Sequence, residues 1–216
     1  MTEVFVFAAR ERADAHALSF ASLRSSDIGE KFTVLRQPED LKPEEHWRAV
    51  HERAAKATSE FVLVLEDDVL VNTHILHNIA TWRYKHDARV FGAGWVYSPG
   101  GYSQKDCWYS GDWEWHGTCG VLYKTERLPF LIERAWPRIM GGRPWDCAMA
   151  WACHLDGKRI RVHFPSLVEH LYELPSKVGT VSGARRHSGG TFRQDWRRSE
   201  LGDPHGTVDQ FGRKVV

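Results

Sequence analysis

The chain has 216 residues, 42% of them hydrophobic and 26% charged, with a formal net charge of +1. That balance excludes a fibrous repeat, a wholly disordered chain and a uniformly basic nucleic-acid binder. At 24.8 kDa it is long enough to bury one full core.

No run reaches the roughly 20 apolar residues of a membrane-spanning helix. The apolar start, residues 4–9, lacks a basic leader and a cleavage site, so a cytoplasmic protein is expected. Cys107, Cys119, Cys147 and Cys153 form no CxxC pair, which gives no sign of a zinc knuckle or a redox motif and leaves reduced thiols as the expectation.

Short apolar runs alternate with helical patterns through the first half, as in a sheet with crossover helices. Strands are predicted over 3–8, 32–35, 61–65 and 90–93. Ala13, Ala17, Phe20 and Ala21 mark one amphipathic helix, over 13–25, and Trp47, Val50, Ala54 and Ala57 a second. Phe61 to Leu65 is apolar without alternation, which predicts a central strand covered on both faces. Glu66-Asp67-Asp68 follows it directly, and Asn72 then caps a helix bearing Ile75, Ile79 and Trp82.

The segment 98–118 is rich in Gly, Tyr and Trp and reads as a substrate loop. A strand is predicted over 120–123, helices over 126–133 and 145–155, and a last strand over 159–164. The expected organisation is one α/β domain over 1–175 and a basic Gly/Ser/Arg-rich tail over 176–216. Between Ser176 and Glu200 six Lys and Arg side chains face two acids, a local charge of +4.

Three adjacent carboxylates repel one another, and holding them ionised at a strand end calls for a cation or several donors. In an extended segment Glu66 and Asp68 would share one face and Asp67 the other. Hard oxygen ligands suit Mg²⁺ or Mn²⁺ and, with the ion, a diphosphate substrate. A solvated turn is the plain alternative, and the run alone does not decide between them.

The segment FVLVLEDDVL, residues 61–70, resembles the metal-binding strand of GT-A glycosyltransferases. The order of the later segments Gly117-Thr118-Cys119-Gly120-Val121-Leu122-Tyr123, Trp145-Asp146 and Pro165-Ser166-Leu167-Val168-Glu169-His170 matches that family too. The resemblance implies a GT-A, Rossmann-like fold: a mixed, mainly parallel sheet flanked by helices. It further implies an inverting, metal-dependent transfer from a nucleoside diphosphate-sugar, with a uridine nucleotide as the expected donor.

On that resemblance Asp68 and His170 are the expected metal ligands, Asp67 the partner of the ribose, and Glu66 a support for metal water or donor sugar. Asp146 is the expected general base, with a first-turn helix acid as its ordinary alternative. Arg10, Glu39 and Asp40, after the first two strands, are expected at the nucleotide base, with Trp47 also on the donor side. Trp113, Glu114, Trp115 and His116 are expected to meet the acceptor.

Two acceptor classes stay open. One is 5-hydroxymethylcytosine in DNA, as in bacteriophage-type enzymes, with Arg185 and Arg186 of the tail on phosphates and Trp108, Trp113 and Trp115 stacking on an extruded base. The other is a surface polysaccharide or lipopolysaccharide intermediate. A non-catalytic nucleotide- or DNA-binding module is a third reading. Nucleotidyl transfer is a fourth, but the chain lacks a Gly-rich phosphate loop with a following Lys near its first strand.

Overall fold

A computed structural model describes residues 2–10, 12–86, 91–97, 108–109, 119–163, 165–171 and 192–197. The expected acceptor residues Trp113, Glu114, Trp115, His116, Arg185 and Arg186 lie outside these.

The first half is built from β1 (Thr2–Ala8), α1 (Ala13–Ser25), β2 (Phe32–Arg36), α2 (Pro43–Ala54) and β3 (Phe61–Glu66). All three strands are parallel, with β1 between β2 and β3. β3 is the uninterrupted apolar run of the sequence and is buried from Phe61 to Leu65, as a strand covered on both faces must be. Phe20 and Leu23 of α1 pack on one face of the sheet, and Trp47, Val50 and Ala54 of α2 on the other.

The second half adds β5 (Phe91–Trp95), β6 (Trp108–Tyr109), β7 (Gly120–Lys124) and β8 (Arg159–Val162). The main sheet runs β2-β1-β3-β7-β5-β8-β6, and β7 lies antiparallel between β3 and β5. Helices α4 (Leu128–Met140) and α5 (Trp145–Leu155) cover the α2 face. This is the expected mixed, mainly parallel α/β sheet with flanking helices.

Several elements differ from expectation. The helix predicted over 126–133 begins as a 3₁₀ turn, Thr125–Arg127, and runs on to Met140 with Pro137 inside its last turns. Its apolar stripe of Leu128, Leu131, Ile132, Ala135 and Ile139 persists past the proline, so burial outweighs the local penalty. The strand predicted over 90–93 continues to Trp95, through Gly94. A Cβ on Gly94 would stand 2.6 Å from the ring of buried Trp82, so this glycine belongs to packing and not to a turn.

The helix expected after Asn72 is α3 (Ile75–Ala80), and Trp82 lies beyond its end. Asn72 accepts from the His74 amide at 2.8 Å but is not the residue that flanks the helix. A further difference is a two-stranded sheet of β4 (Val69–Val71) and β9 (Val168–His170), each too short to show a period.

Residues 192–197 of the predicted tail pack on this small sheet's flank. The Asn72 side-chain amide donates to the carbonyls of Arg193 at 2.7 Å and Trp196 at 2.9 Å, and the Thr73 amide donates to that of Gln194 at 2.8 Å. Trp196 also packs against the core on the α1 face. Among the described residues, no helix is long and apolar enough to cross a membrane.

Candidate active site

The chain passes from β1 through α1 to β2 on one side, then returns through α2 to β3 on the other. This reversal opens a crevice at the carboxyl ends of β1 and β3. Phe7 pairs with Glu66 there, so the residues after each strand meet. The Ala9 amide donates to Asp67 Oδ2 at 2.6 Å.

Arg12, at the N-terminal boundary of α1, is the main cation of the crevice. Its Nη1 donates to Asp67 Oδ1 at 3.2 Å and also to Asp68 Oδ2. One turn further on, His16 places Nε2 2.7 Å from Asp67 Oδ2. The expected division of faces is therefore corrected: Asp67 and Asp68 share one guanidinium. β3 ends at Glu66 and the backbone bends through 67–68, so strand alternation no longer applies.

β9 brings the second half of the chain to the same place. His170 lies opposite Val69, the Leu171 amide donates to the Asp68 carbonyl at 2.7 Å, and His170 Nε2 stands 3.2 Å from Asp68 Oδ2. β7 brings Cys119, whose carbonyl accepts from the Glu66 amide at 3.1 Å. One ligand atom each of Glu66, Cys119 and His170 lie within 4.8 Å of one another. Asp68 meets this group through His170, and its Oδ1 is buried without a hydrogen-bond partner among the described residues.

These groups perturb one another. Burial drives the Asp67 carboxyl upward and the charge of Asp68 adds to this, while Arg12, His16 and the Ala9 amide offset only part. Burial acts on Asp68 as well, but the hydrogen bond and charge of His170, with Arg12, outweigh it and hold Asp68 below the usual carboxylate range. His170 is correspondingly raised: burial lowers it, and contact with Asp68 and the charge of Glu66 more than compensate. Burial pushes the Cys119 thiol well up, and the charges of Glu66, Asp68 and Asp146 add to this.

Asp146 lies in the first turn of α5, after the extended residue Pro144, and its Oδ1 accepts from the Cys147 amide at 2.7 Å. Its charge reaches both Cys119 and the buried Tyr123. A pocket of about 270 Å³, open mouth included, is lined by Phe7, Trp47, His51, Tyr123 and Trp145 and has Glu66 in its wall. Trp47 is thus a core residue, 2% exposed, forming part of this pocket. His51 is fully buried against it, its pKa lowered to about 4 by burial. Arg10 Nη1 donates to the Glu39 carbonyl at 2.7 Å, linking the ends of β1 and β2, and Asp40 is exposed in the turn beside them.

The donor set fits a divalent ion: carboxylates, an imidazole and a thiol converge, and one buried carboxylate oxygen lacks a partner among the described residues. Arg12, His16 and Cys119 carry much of this geometry, and sequence reasoning gave none of them a role. A signal for the first two existed, because Arg12 and His16 are four residues apart at a helix start directly after β1.

No protein-family profile matches the chain, and no curated protein matches it. Among solved structures it is similar to S. aureus TarS, a glycosyltransferase, at a TM-score of 0.51 and 14% identity. The match covers 75% of this chain and 35% of that one, so the chain spans about a third of the TarS structure. The two share an α/β fold.

Proposed function

We propose that the chain is a metal-dependent glycosyltransferase that moves a sugar from a nucleoside diphosphate-sugar, uridine first among the bases to test, to an acceptor hydroxyl. The observation that carries this reading is the convergence of Glu66, Cys119 and His170, with Asp68 against His170 and Asp67 sharing Arg12 with it, at the β1/β3 crevice, where open α/β sheets bind nucleotides. A shared fold alone would not support it.

Asp67, fixed by the Ala9 amide, His16 and Arg12, is assigned to the ribose on the family resemblance. Arg10 and the Glu39–Asp40 turn border the base. Glu66, Asp68 and His170 hold the ion, Mn²⁺ or Mg²⁺ on the family resemblance. When bound, that ion supplies neutralisation of charge on the departing diphosphate. Asp146 takes the proton from the acceptor hydroxyl as that oxygen attacks, which gives inversion. The pocket beside Glu66 sets a largely apolar wall next to these charges, which strengthens nearby polar contacts.

Calorimetry over a panel of nucleoside diphosphate-sugars tests this directly. Binding that requires Mn²⁺, and that weakens about 100-fold in Asp68→Ala and at least about tenfold in His170→Ala, is expected. A panel with no metal-dependent binding would sink the proposal. The acceptor is settled separately by following labelled sugar into hydroxymethylcytosine DNA, unmodified DNA and bacterial glycan extracts. Label in glycan alone discards the DNA reading.

A further inference from the structure

Cys119 is the member of the convergent group whose residue type is most foreign to a Mg²⁺ site. It sits immediately before β7, locked beside Glu66 by the backbone bond between them. Its sulfur, a Glu66 carboxylate oxygen and a His170 ring nitrogen fall within one 4.8 Å cluster. A second feature points to the same place: Asp68, only 2% exposed, leaves Oδ1 without a partner among the described residues while its other oxygen touches His170. A buried carboxylate oxygen in that condition is destabilising unless something binds it.

Sulfur, imidazole and carboxylate donors together are not a hard-oxygen set. Mg²⁺ demands near-octahedral oxygen coordination and gives up its water reluctantly. Thiolate and imidazole favour Zn²⁺ and the neighbouring borderline ions, which accept fewer ligands in tetrahedral or five-coordinate geometry. Glu66, Cys119 and His170 provide three such donors, and Asp68 stands next to them.

We propose that Cys119 is a direct metal ligand and that the site selects a borderline transition-metal ion, Zn²⁺ or Co²⁺, over Mg²⁺. The inference rests on the metal-dependent reading of this crevice and specifies its ion. Binding moves the thiol proton to solvent and forms a metal–sulfur bond, with no change of oxidation state. Arg12 bridges Asp67 and Asp68, and Glu66, Cys119 and His170 would hold the ion beside that pair.

The test uses the full chain, stripped with a chelator and titrated with Co²⁺. A sulfur-to-cobalt charge-transfer band in the near ultraviolet is expected. It should vanish in Cys119→Ser and persist in Cys107→Ser, Cys147→Ser and Cys153→Ser. Zn²⁺ should displace the cobalt and a large excess of Mg²⁺ should not. Cys119→Ser should weaken Zn²⁺ binding at least about tenfold. Circular dichroism and a thermal melt on Cys119→Ser and Cys119→Ala establish that the variants are folded.

Cobalt binding without the band, or with the band unchanged in a folded Cys119→Ser, overturns the proposal. So does equal competition by Mg²⁺. If these occur while Mn²⁺-dependent nucleotide binding persists, the glycosyltransferase reading stands and only the thiolate ligand is lost. If the Cys119-dependent band appears but no nucleoside diphosphate-sugar binds, the ion site stands and the transfer reading falls.

Discussion

The two halves of the sheet contribute different chemistry to one crevice. The parallel half, β2-β1-β3, supplies fixed charge: Asp67 and Asp68 from the end of β3, and Arg12 and His16 from the start of α1. The antiparallel seam and the elements after it supply Cys119, just before β7, Asp146 in α5 and His170 in β9. Parallel strands with crossover helices carry every strand's carboxyl end to the same edge, so charge accumulates there. An antiparallel β7 reverses that order and presents its first residues, not its last, to the same edge. On the proposed reading both halves hold the ion, and only the second supplies the proposed base, Asp146.

The largest expected effect separates those duties. Asp146→Asn should lower turnover by about 10²–10⁴-fold while leaving donor affinity nearly unchanged, because a general base acts in the transition state. Steady-state transfer assays beside calorimetry read both quantities. Normal turnover would remove Asp146 from the mechanism and leave the second half without a catalytic group.

The next effect belongs to the first half. Arg12→Ala strands two buried carboxylates, and loss of one partner of such a buried pair costs about 3–5 kcal/mol. Urea unfolding in the presence of a chelator measures this. Added Zn²⁺ or Mn²⁺ should recover part of the loss, since an ion at Asp68 replaces some of the missing charge. No loss in chelator would show that the guanidinium is not the acid pair's counter-ion.

Below the crevice, His51 gives a pH signature. Its folded pKa is lowered to about 4 against an ordinary value of 6.5, so between those values the unfolded chain takes up a proton that the folded chain does not. Stability contributed by neutral His51 is present above pH 6.5 and declines as pH falls towards 4, by up to about 3 kcal/mol. His51→Gln should flatten that part of the stability profile relative to the parent chain. Parallel profiles for the two proteins would contradict it.

The smallest effect concerns how the C-terminal segment is joined to the first half. Asn72→Ala removes the donor to the Arg193 and Trp196 carbonyls and should cost about 1–3 kcal/mol. Hydrogen exchange should rise at Thr73, whose amide donates to Gln194, if the segment detaches. Unchanged protection at Thr73 would mean that the remaining contacts, such as Asn78 to the Trp196 carbonyl at 3.0 Å and Trp196 packing, hold it.

Some of the molecule was readable in the sequence because its causes are local. An unbroken apolar run followed by three acids specified β3 and the position of the crevice, and the spacing of apolar residues specified α1 and α5 together with their ends. Other features depend on residues distant in the chain. β4 and β9 are too short for periodicity and exist because they pair with each other, which brings His170 to Asp68. Arg12 and Cys119 carry no motif of their own. The bend after Glu66 turns both aspartates towards Arg12, and the register of β3 with β7 sets Cys119 beside Glu66. The sequence by itself determined which strand ends in charge. Only the tertiary structure decided which cation, thiol and imidazole meet that charge, because strand pairing across more than 50 residues has no local signature.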